Sequence, residues 1–314
     1  MAAPDSTRPR PPPAVAILGP TASGKSALAL ELAKQLGGEI LCCDSMQVYR
    51  GMDIGTAKAT PSERAAVPHH LLDVVSPSEQ FHAAAWAEAA CKIIQGAEAR
   101  ERLPIIVGGT GLYYRALVRG LFEAPRPDPA IRERHQAEAR SLGLPALHER
   151  LRLIDPEAAA KILPGDLVRI SRALEVYEQT GVTISEQRRQ TTVAPAPLRV
   201  FSVLLEFDLD HLRSRIAARV DHMMAVGFLD EVRALRAAGF ASARSMQALG
   251  YKQLGAHLDG ALSLEAAVAE TKSATAAYAR RQRTWFRREE INLRSYQTPV
   301  PSALARLLRG WLLT

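Results

Sequence analysis

Eight consecutive residues, Gly19-Pro20-Thr21-Ala22-Ser23-Gly24-Lys25-Ser26, fit the pattern G-x-x-x-x-G-K-[ST] without a mismatch. A loop of this kind handles phosphate. Its glycines let the main chain curl until successive N–H groups point inward at phosphate oxygens, and the following helix brings its positive end to the same place. Lys25 is placed to neutralise a terminal phosphate, and the Ser26 hydroxyl to ligate Mg²⁺. The loop does not choose between ATP and another diphosphate. Nucleotide hydrolases add an aspartate at the end of a later apolar strand, whereas the later run Pro104-Ile105-Ile106-Val107 ends in Gly108-Gly109-Thr110-Gly111. The candidate carboxylate is instead Asp44, which could accept a proton, bind metal or simply cap its turn with Ser45.

A second set of chemistry-bearing residues is cationic. Arg213, Arg215 and Arg219 fall in one predicted helix, and Arg215 and Arg219, spaced i and i+4, can face one anionic ligand. From Lys272 to Arg288 there are six Lys or Arg and no acid, with Tyr278, Trp285 and Phe286 interleaved. On a helix Tyr278, Arg281 and Trp285 share one face and Arg280, Arg283 and Arg287 another, which suits packing on one side and phosphate contact on the other. A solvated helix whose aromatics belong to the core is the plainer reading.

Hydrophobic patterning supplies the scaffold. Ala14 to Leu18 is a short apolar run that stops at the glycine loop, and Leu28, Leu30, Leu32, Ala33 and Leu36 continue as a helical pattern up to Gly37-Gly38. Buried strands are predicted at Glu39 to Cys43 and at Pro104 to Val107, with a helix over Ala83 to Arg100 between them. The order β-α-β-α-β predicts an α/β fold, a P-loop NTPase-like parallel sheet covered by helices. Such sheets bind ligands at their strand carboxyl ends, so the glycine loop, Asp44 and Thr110 should converge on one crevice. From Ala124 the Pro-rich joint APRPDP leads into charged helical sequence, whose ten basic and ten acidic residues between Asp128 and Gln190 balance. Leu198 to Phe207 then resumes the sheet, followed by helices from Asp210 to the end. Residues 14–123 and 191–314 are thus expected to form the core, 124–190 a helical insertion domain, and 1–13 a disordered tail.

Composition narrows the function classes. With 47% hydrophobic and 23% charged residues in 314, disorder is excluded as a general description. No run approaches the ~18 apolar residues that cross a bilayer, and MAAPDSTRPRPPP at the start lacks the apolar stretch of an export signal. Cys42, Cys43 and Cys91 match neither a metal spacing nor a disulfide framework. A cytoplasmic protein with no membrane partner is expected, and nothing suggests an interface helix, so a monomer. The net charge of +7 points weakly to a polyanionic partner, while only 5% aromatic residues argues against a broad stacking surface for single strands.

Taken together the motifs resemble one family, the tRNA dimethylallyltransferases, also called tRNA isopentenyltransferases. GPTASGKS at 19–26, DSMQVYRGMDIGTAK at 44–58, PHHLLDV at 68–74, VGGTGLY at 107–113, RISRALEVY at 169–177, ALGYKQL at 248–254 and RQRTWFR at 281–287 appear in family order. The resemblance implies transfer of a dimethylallyl group from dimethylallyl diphosphate to N6 of the adenosine 3′ of the anticodon, in tRNAs reading codons that begin with U. It implies Asp44 as general base, Thr110 near the same amine, and Lys25, Arg219 and the 19–26 loop on the diphosphate, with Mg²⁺. It also implies a pocket for a flipped base lined by Ser45, Met46 and Gln47, with tRNA contacts at Arg132, Arg169, Arg172, Gln247 and Lys252. Where family members often show Gln-Arg-x-x-Arg, this chain has Val168-Arg169-Ile170-Ser171-Arg172, keeping both arginines but not the glutamine. Two rival classes remain: a P-loop small-molecule kinase leaves the GMDIGTAK block unexplained, and a non-catalytic RNA-binding protein leaves the phosphate loop without purpose.

Overall fold

A computed structural model describes residues 10–121, 125–190 and 197–314. The first nine residues of the expected tail and the expected domain boundaries at 123/124 and 190/191 lie outside them. The described residues form two compact units, one from 10–118 with 197–314 and one from the described part of 119–190.

The first unit is built on a sheet of six parallel strands, β1 (Pro13–Leu18), β2 (Gly38–Cys43), β3 (His69–His70), β4 (Leu103–Gly108), β5 (Arg199–Leu205) and β6 (Leu293–Ser295), in the order β3-β2-β4-β1-β5-β6. β1, β2 and β4 read as nearly unbroken apolar runs because helices cover both faces. On one face Val15, Ile17, Ile40, Ile105, Val203 and Leu205 pack with Leu28 and Leu32 of the helix Lys25–Leu36 and with Leu304 and Leu308 of the helix Pro301–Leu313.

Three local differences from the sequence expectation have simple causes. The expected tail ends earlier, since Pro13 opens β1, the strand's first residue being where a proline costs no ladder bond, and Pro12 O accepts from Arg199 N. β6 interrupts the expected run of C-terminal helices; its three residues are too short to show a period, and Asn292 ties it in by accepting from Ser202 N and Oγ at 2.9 Å. The helix expected over Ala83 to Arg100 stops at Gln95, Gly96 serving as its cap, and a separate 3₁₀ turn follows at Glu98–Arg100.

Strand register positions the chemistry. Gly108 at the end of β4 is paired with both Leu18 of β1 and Cys43 of β2, so Gly19, Asp44 and Gly109 leave the sheet at one level on adjacent strands. Over them lies the helix Leu264–Phe286, seated close because Gly111 carries no side chain: a Cβ there would come within 2.2 Å of the Trp285 ring. Gly111→Ala is therefore expected to lower stability by about 1–3 kcal/mol through overpacking, read as a lower midpoint in urea unfolding at unchanged slope.

The second unit is helical, with Pro129–Leu142, Leu144–Ile154 and Leu167–Thr180 closing over Leu147, Leu151, Ile170, Leu174 and Val176. At its centre a fully buried carboxylate, Glu175, pairs with Arg132 at 3.1 Å and Arg172 at 2.6 Å and accepts from Asp128 N.

Candidate active site

The glycine loop folds as its pattern requires. Gly24 takes a left-handed conformation (φ 86°) just before the helix Lys25–Leu36, where a side chain would be strained, and a Cβ there would also come within 3.2 Å of Arg215 Nη2. Thr21, Lys25 and Ser26 line a cavity of about 480 Å³, joined by Asp44, Ser45, Met46 and Gln47 from the end of β2. Ala22 and Ser23 are buried beneath the loop, and Ser23 Oγ has no partner there. What Ala22 can offer a ligand is main chain, whereas the Ser23 N–H is donated to Pro20 O at 3.3 Å.

Lys25 Nζ donates to Pro20 O at 3.1 Å. Burial, reinforced by the neighbouring Arg219 charge and opposed by Asp44, brings its pKa down to about 8. Arg219 enters from the helix Leu209–Ala225, with Nη1 3.4 Å from Thr21 Oγ1. Of the arginine trio only this one lines the cavity; Arg215 lies against Gly24 and Arg213 pairs with Asp210 on the surface. Two cations thus face a cradle of N–H groups with no carboxylate bonded to either.

Opposite the cradle, Asp44 Oδ1 accepts from Met46 N at 2.8 Å, a turn that leaves its other oxygen for a ligand. Thr110 Oγ1 accepts from Ser45 N at 3.0 Å. Burial, with the Asp44 charge, pushes Tyr278 up to about 12, so it stays protonated at neutral pH. Gln47 is locked: Nε2 donates to Thr56 O and Ala57 O, and Oε1 accepts from Cys42 Sγ. Its carbonyl oxygen keeps one lone pair for a ligand, and both amide hydrogens are used.

Other residues around the cavity were given no role there by the sequence. Glu231 gathers the N–H groups of Asp53, Ile54 and Gly55 at 2.6 to 3.1 Å and accepts from Tyr251 Oη, holding the GMDIG turn. Buried Lys58 is bonded to Asp53, Asp73 and Tyr49 O. Thr271, Thr275, Tyr278, Arg281 and Gln282 also face the cavity. A legible signal existed, since Thr271, Thr275, Tyr278 and Gln282 repeat at i, i+4, i+7 and i+11 in an alanine-rich helix, a polar stripe on one face. Arg281, grouped with the packing face, points into the cavity, with its guanidinium 5.6 Å from the Tyr278 ring centre.

The residues expected to touch tRNA are not all in one place. Gln247 lines the cavity, while Lys252 is exposed outside its lining. In the second unit Arg132 and Arg172 are engaged by Glu175, and Arg169, with 65% of its side chain exposed, pairs with Asp166 at 3.3 Å.

No cluster of three or more His, Cys, Asp or Glu side chains among the described residues could hold a metal. One serine hydroxyl beside a phosphate cradle nonetheless suits Mg²⁺, which takes few protein ligands and relies on phosphate oxygens and retained water. No helix among the described residues is long and apolar enough to cross a membrane.

The chain is similar to known proteins over most of its length. Residues 47–289 match the family model described as IPP transferase. The tRNA dimethylallyltransferase of Syntrophobacter fumaroxidans is 50% identical over 88% of this chain and 81% of its own length, and that of Roseiflexus sp. is 47% identical over 96% and 99%. Among solved structures, the tRNA isopentenylpyrophosphate transferase of Bacillus halodurans superposes with a TM-score of 0.69 at 39% identity, covering 96% of each chain. A eukaryotic dimethylallyltransferase acting on tRNA gives 0.72 at 28% identity, over 87% of this chain and 69% of that one.

Proposed function

This chain belongs to the IPP transferase family, and from that premise we propose that it transfers a dimethylallyl group from dimethylallyl diphosphate to N6 of the adenosine 3′ of the anticodon, in tRNAs that read codons beginning with U. The observation that carries this reading is the meeting, in one cavity, of a phosphate cradle with two cations and an aspartate on a neighbouring wall. Hydrolases and kinases can share both features, and what they leave without account is the GMDIGTAK block and the basic helix near the C-terminus.

The diphosphate lies in the N–H cradle against Lys25 and Arg219. With β4 between β1 and β2, the cradle and Asp44 are two strand spacings apart, roughly 10 Å, leaving room for the reacting carbon and the amine. The N6 lone pair attacks C1, the C1–O bond breaks, and its electron pair leaves with the diphosphate. The N6 proton passes to Asp44 Oδ. Lys25, Arg219 and the main-chain N–H groups oppose the charge that grows on the leaving oxygen. Ser26 would hold Mg²⁺, which when bound supplies further neutralisation of the diphosphate.

An adenine stacked in the anticodon loop cannot reach this cavity, so the base is flipped out. Ser45, Met46, Gln47 and Gln247 receive it, Gln47 acting only as an acceptor. The arginines of the second unit divide: Arg132 and Arg172 organise Glu175, and the exposed Arg169 is the one suited to a phosphate. In the first unit the exposed Lys252 is likewise suited to a phosphate. The cytoplasm, where tRNA substrates are found, is the compartment of this reading, and a single chain carries every group it needs.

Lys25 makes donor affinity pH-dependent. Its folded pKa lies below the usual lysine range, so the charged form that binds diphosphate is lost as pH rises through about 8. The donor KM should rise by about tenfold between the acid plateau and pH 9, and Lys25→Arg should remove that rise. A flat donor KM from pH 7 to 9 in the unaltered protein would mean that Lys25 does not meet the diphosphate as a titrating cation.

The reading is tested by incubating the protein with labelled dimethylallyl diphosphate, unmodified tRNA and Mg²⁺ in the absence of ATP. Label should enter tRNA. Absence of label in tRNA, together with phosphate moving to a small molecule in a parallel incubation with ATP, would establish the kinase alternative.

A further inference from the structure

We propose that Gln282 is a positioning residue that sets the distance between the diphosphate cradle and the proton acceptor, an inference that rests on the transfer reaction above. The residue is buried, with 5% relative exposure. Its Oε1 accepts from Thr21 N at 2.8 Å, and its Nε2 donates to Gly109 O at 3.0 Å.

Those two partners lie just past the ends of adjacent strands. Leu18 and Gly108 are the last paired residues of β1 and β4, and beyond them the backbone ladder has no further rungs. The amide of Gln282 sets one of its two N–H donors and its carbonyl acceptor in the arrangement of a peptide group, and it bridges an N–H of one departing loop to a C=O of the other. It extends the sheet by one rung made of side chain.

The rung lies between the two halves of the reaction. On the β1 side it holds the loop that carries Lys25 and Ser26. On the β4 side it holds Gly109, whose neighbour Thr110 accepts from Ser45 N and so fixes the turn that presents Asp44. Gly109 is shaped for this contact, since a Cβ there would come within 2.2 Å of Gln282 Nε2. The bond also takes the Thr21 N–H out of the phosphate cradle, which leaves the N–H groups after it to meet the diphosphate.

A displacement of reacting groups by about 1 Å can lower a rate by about a hundredfold, and a positioning residue is recognised by losing turnover while keeping its substrates. Gln282→Met keeps the volume and removes both bonds; Gln282→Glu keeps the acceptor, and its carboxyl can donate to Gly109 O only when protonated. Steady-state kinetics with dimethylallyl diphosphate and tRNA should show the Met variant with kcat lower by roughly a hundredfold and both KM values near those of the unaltered protein. Calorimetry with inorganic pyrophosphate should still detect binding. The activity of the Glu variant, taken as a ratio to the unaltered protein at each pH, should climb as pH falls. A folded Met variant whose kcat stays close to that of the unaltered protein, or a Glu variant whose ratio is flat with pH, overturns the inference. Absence of prenyl transfer by the unaltered protein would instead overturn the reaction itself, so the two failures are told apart.

Discussion

Asp44→Asn is expected to lower the turnover of prenyl transfer by roughly a thousandfold, within the 10²–10⁴ range typical of general acid–base catalysis, while tRNA affinity stays close to that of the unaltered protein. The substitution is informative because asparagine can still accept from Met46 N, the bond that shapes the turn at 2.8 Å. The change is then confined to the loss of a proton acceptor and one negative charge. Asp44→Ala removes the turn bond as well and should be inactive too. A second consequence follows from charge: Asp44 supports the protonated form of Lys25, so its loss should move the alkaline limb of donor binding to lower pH. Turnover by Asp44→Asn near the unaltered rate would remove Asp44 as the base.

Arg219→Ala is expected to cost roughly a hundredfold to a thousandfold in kcat, the scale of removing one preorganised group that meets charge developing in the transition state. Arg219 lines the cavity and reaches Thr21 Oγ1, and neither other arginine of its helix can take its place, since Arg215 lies at Gly24 and Arg213 is paired on the surface. Its removal also relieves the charge that holds the Lys25 pKa down, so Lys25 becomes a more complete cation and recovers part of the loss. Lys25→Ala combined with Arg219→Ala should therefore cost something other than the sum of the two single changes. Strict additivity would mean that the two do not act on one diphosphate.

Much of this site is legible in the sequence, because its cradle is a local motif and its scaffold is a set of apolar runs. The glycine loop, the ends of β2 and β4 and their convergence follow from a parallel sheet, in which strand carboxyl ends share one edge. Less legible is whatever depends on a distant partner. Arg172 and Glu175 stand three residues apart on one helix, a spacing the sequence shows, but Arg132 lies 43 residues from Glu175 and no spacing announces that pairing. The GMDIG turn reads as a motif without a purpose until Glu231, 176 to 178 residues away, is seen to bind its N–H groups. β3 and β6 were invisible for another reason: two and three residues are too few to display a period. Gln282 lies between these cases. Its place on a polar stripe could have been read, but its partners on two loops more than 170 residues distant could not.

The helix that bears Gln282 also changes how the basic segment is understood. Its arginines suggested a surface for an RNA backbone, yet Arg281 faces the cavity with Tyr278, and Lys272 is paired with Asp221 at 2.6 Å. Arg280, Arg287 and Arg288 remain exposed. The same helix therefore closes the reaction chamber on one side and keeps cations outside for a polyanion.

The most direct test of the account is mass spectrometry of nucleosides and of nuclease fragments from a tRNA reading codons that begin with U, after incubation with the protein, dimethylallyl diphosphate and Mg²⁺. The account predicts one dimethylallyl group per tRNA, on N6 of the adenosine 3′ of the anticodon, with one pyrophosphate released for each. An unmodified adenosine at that position, or a prenyl group on another nucleoside, would contradict it.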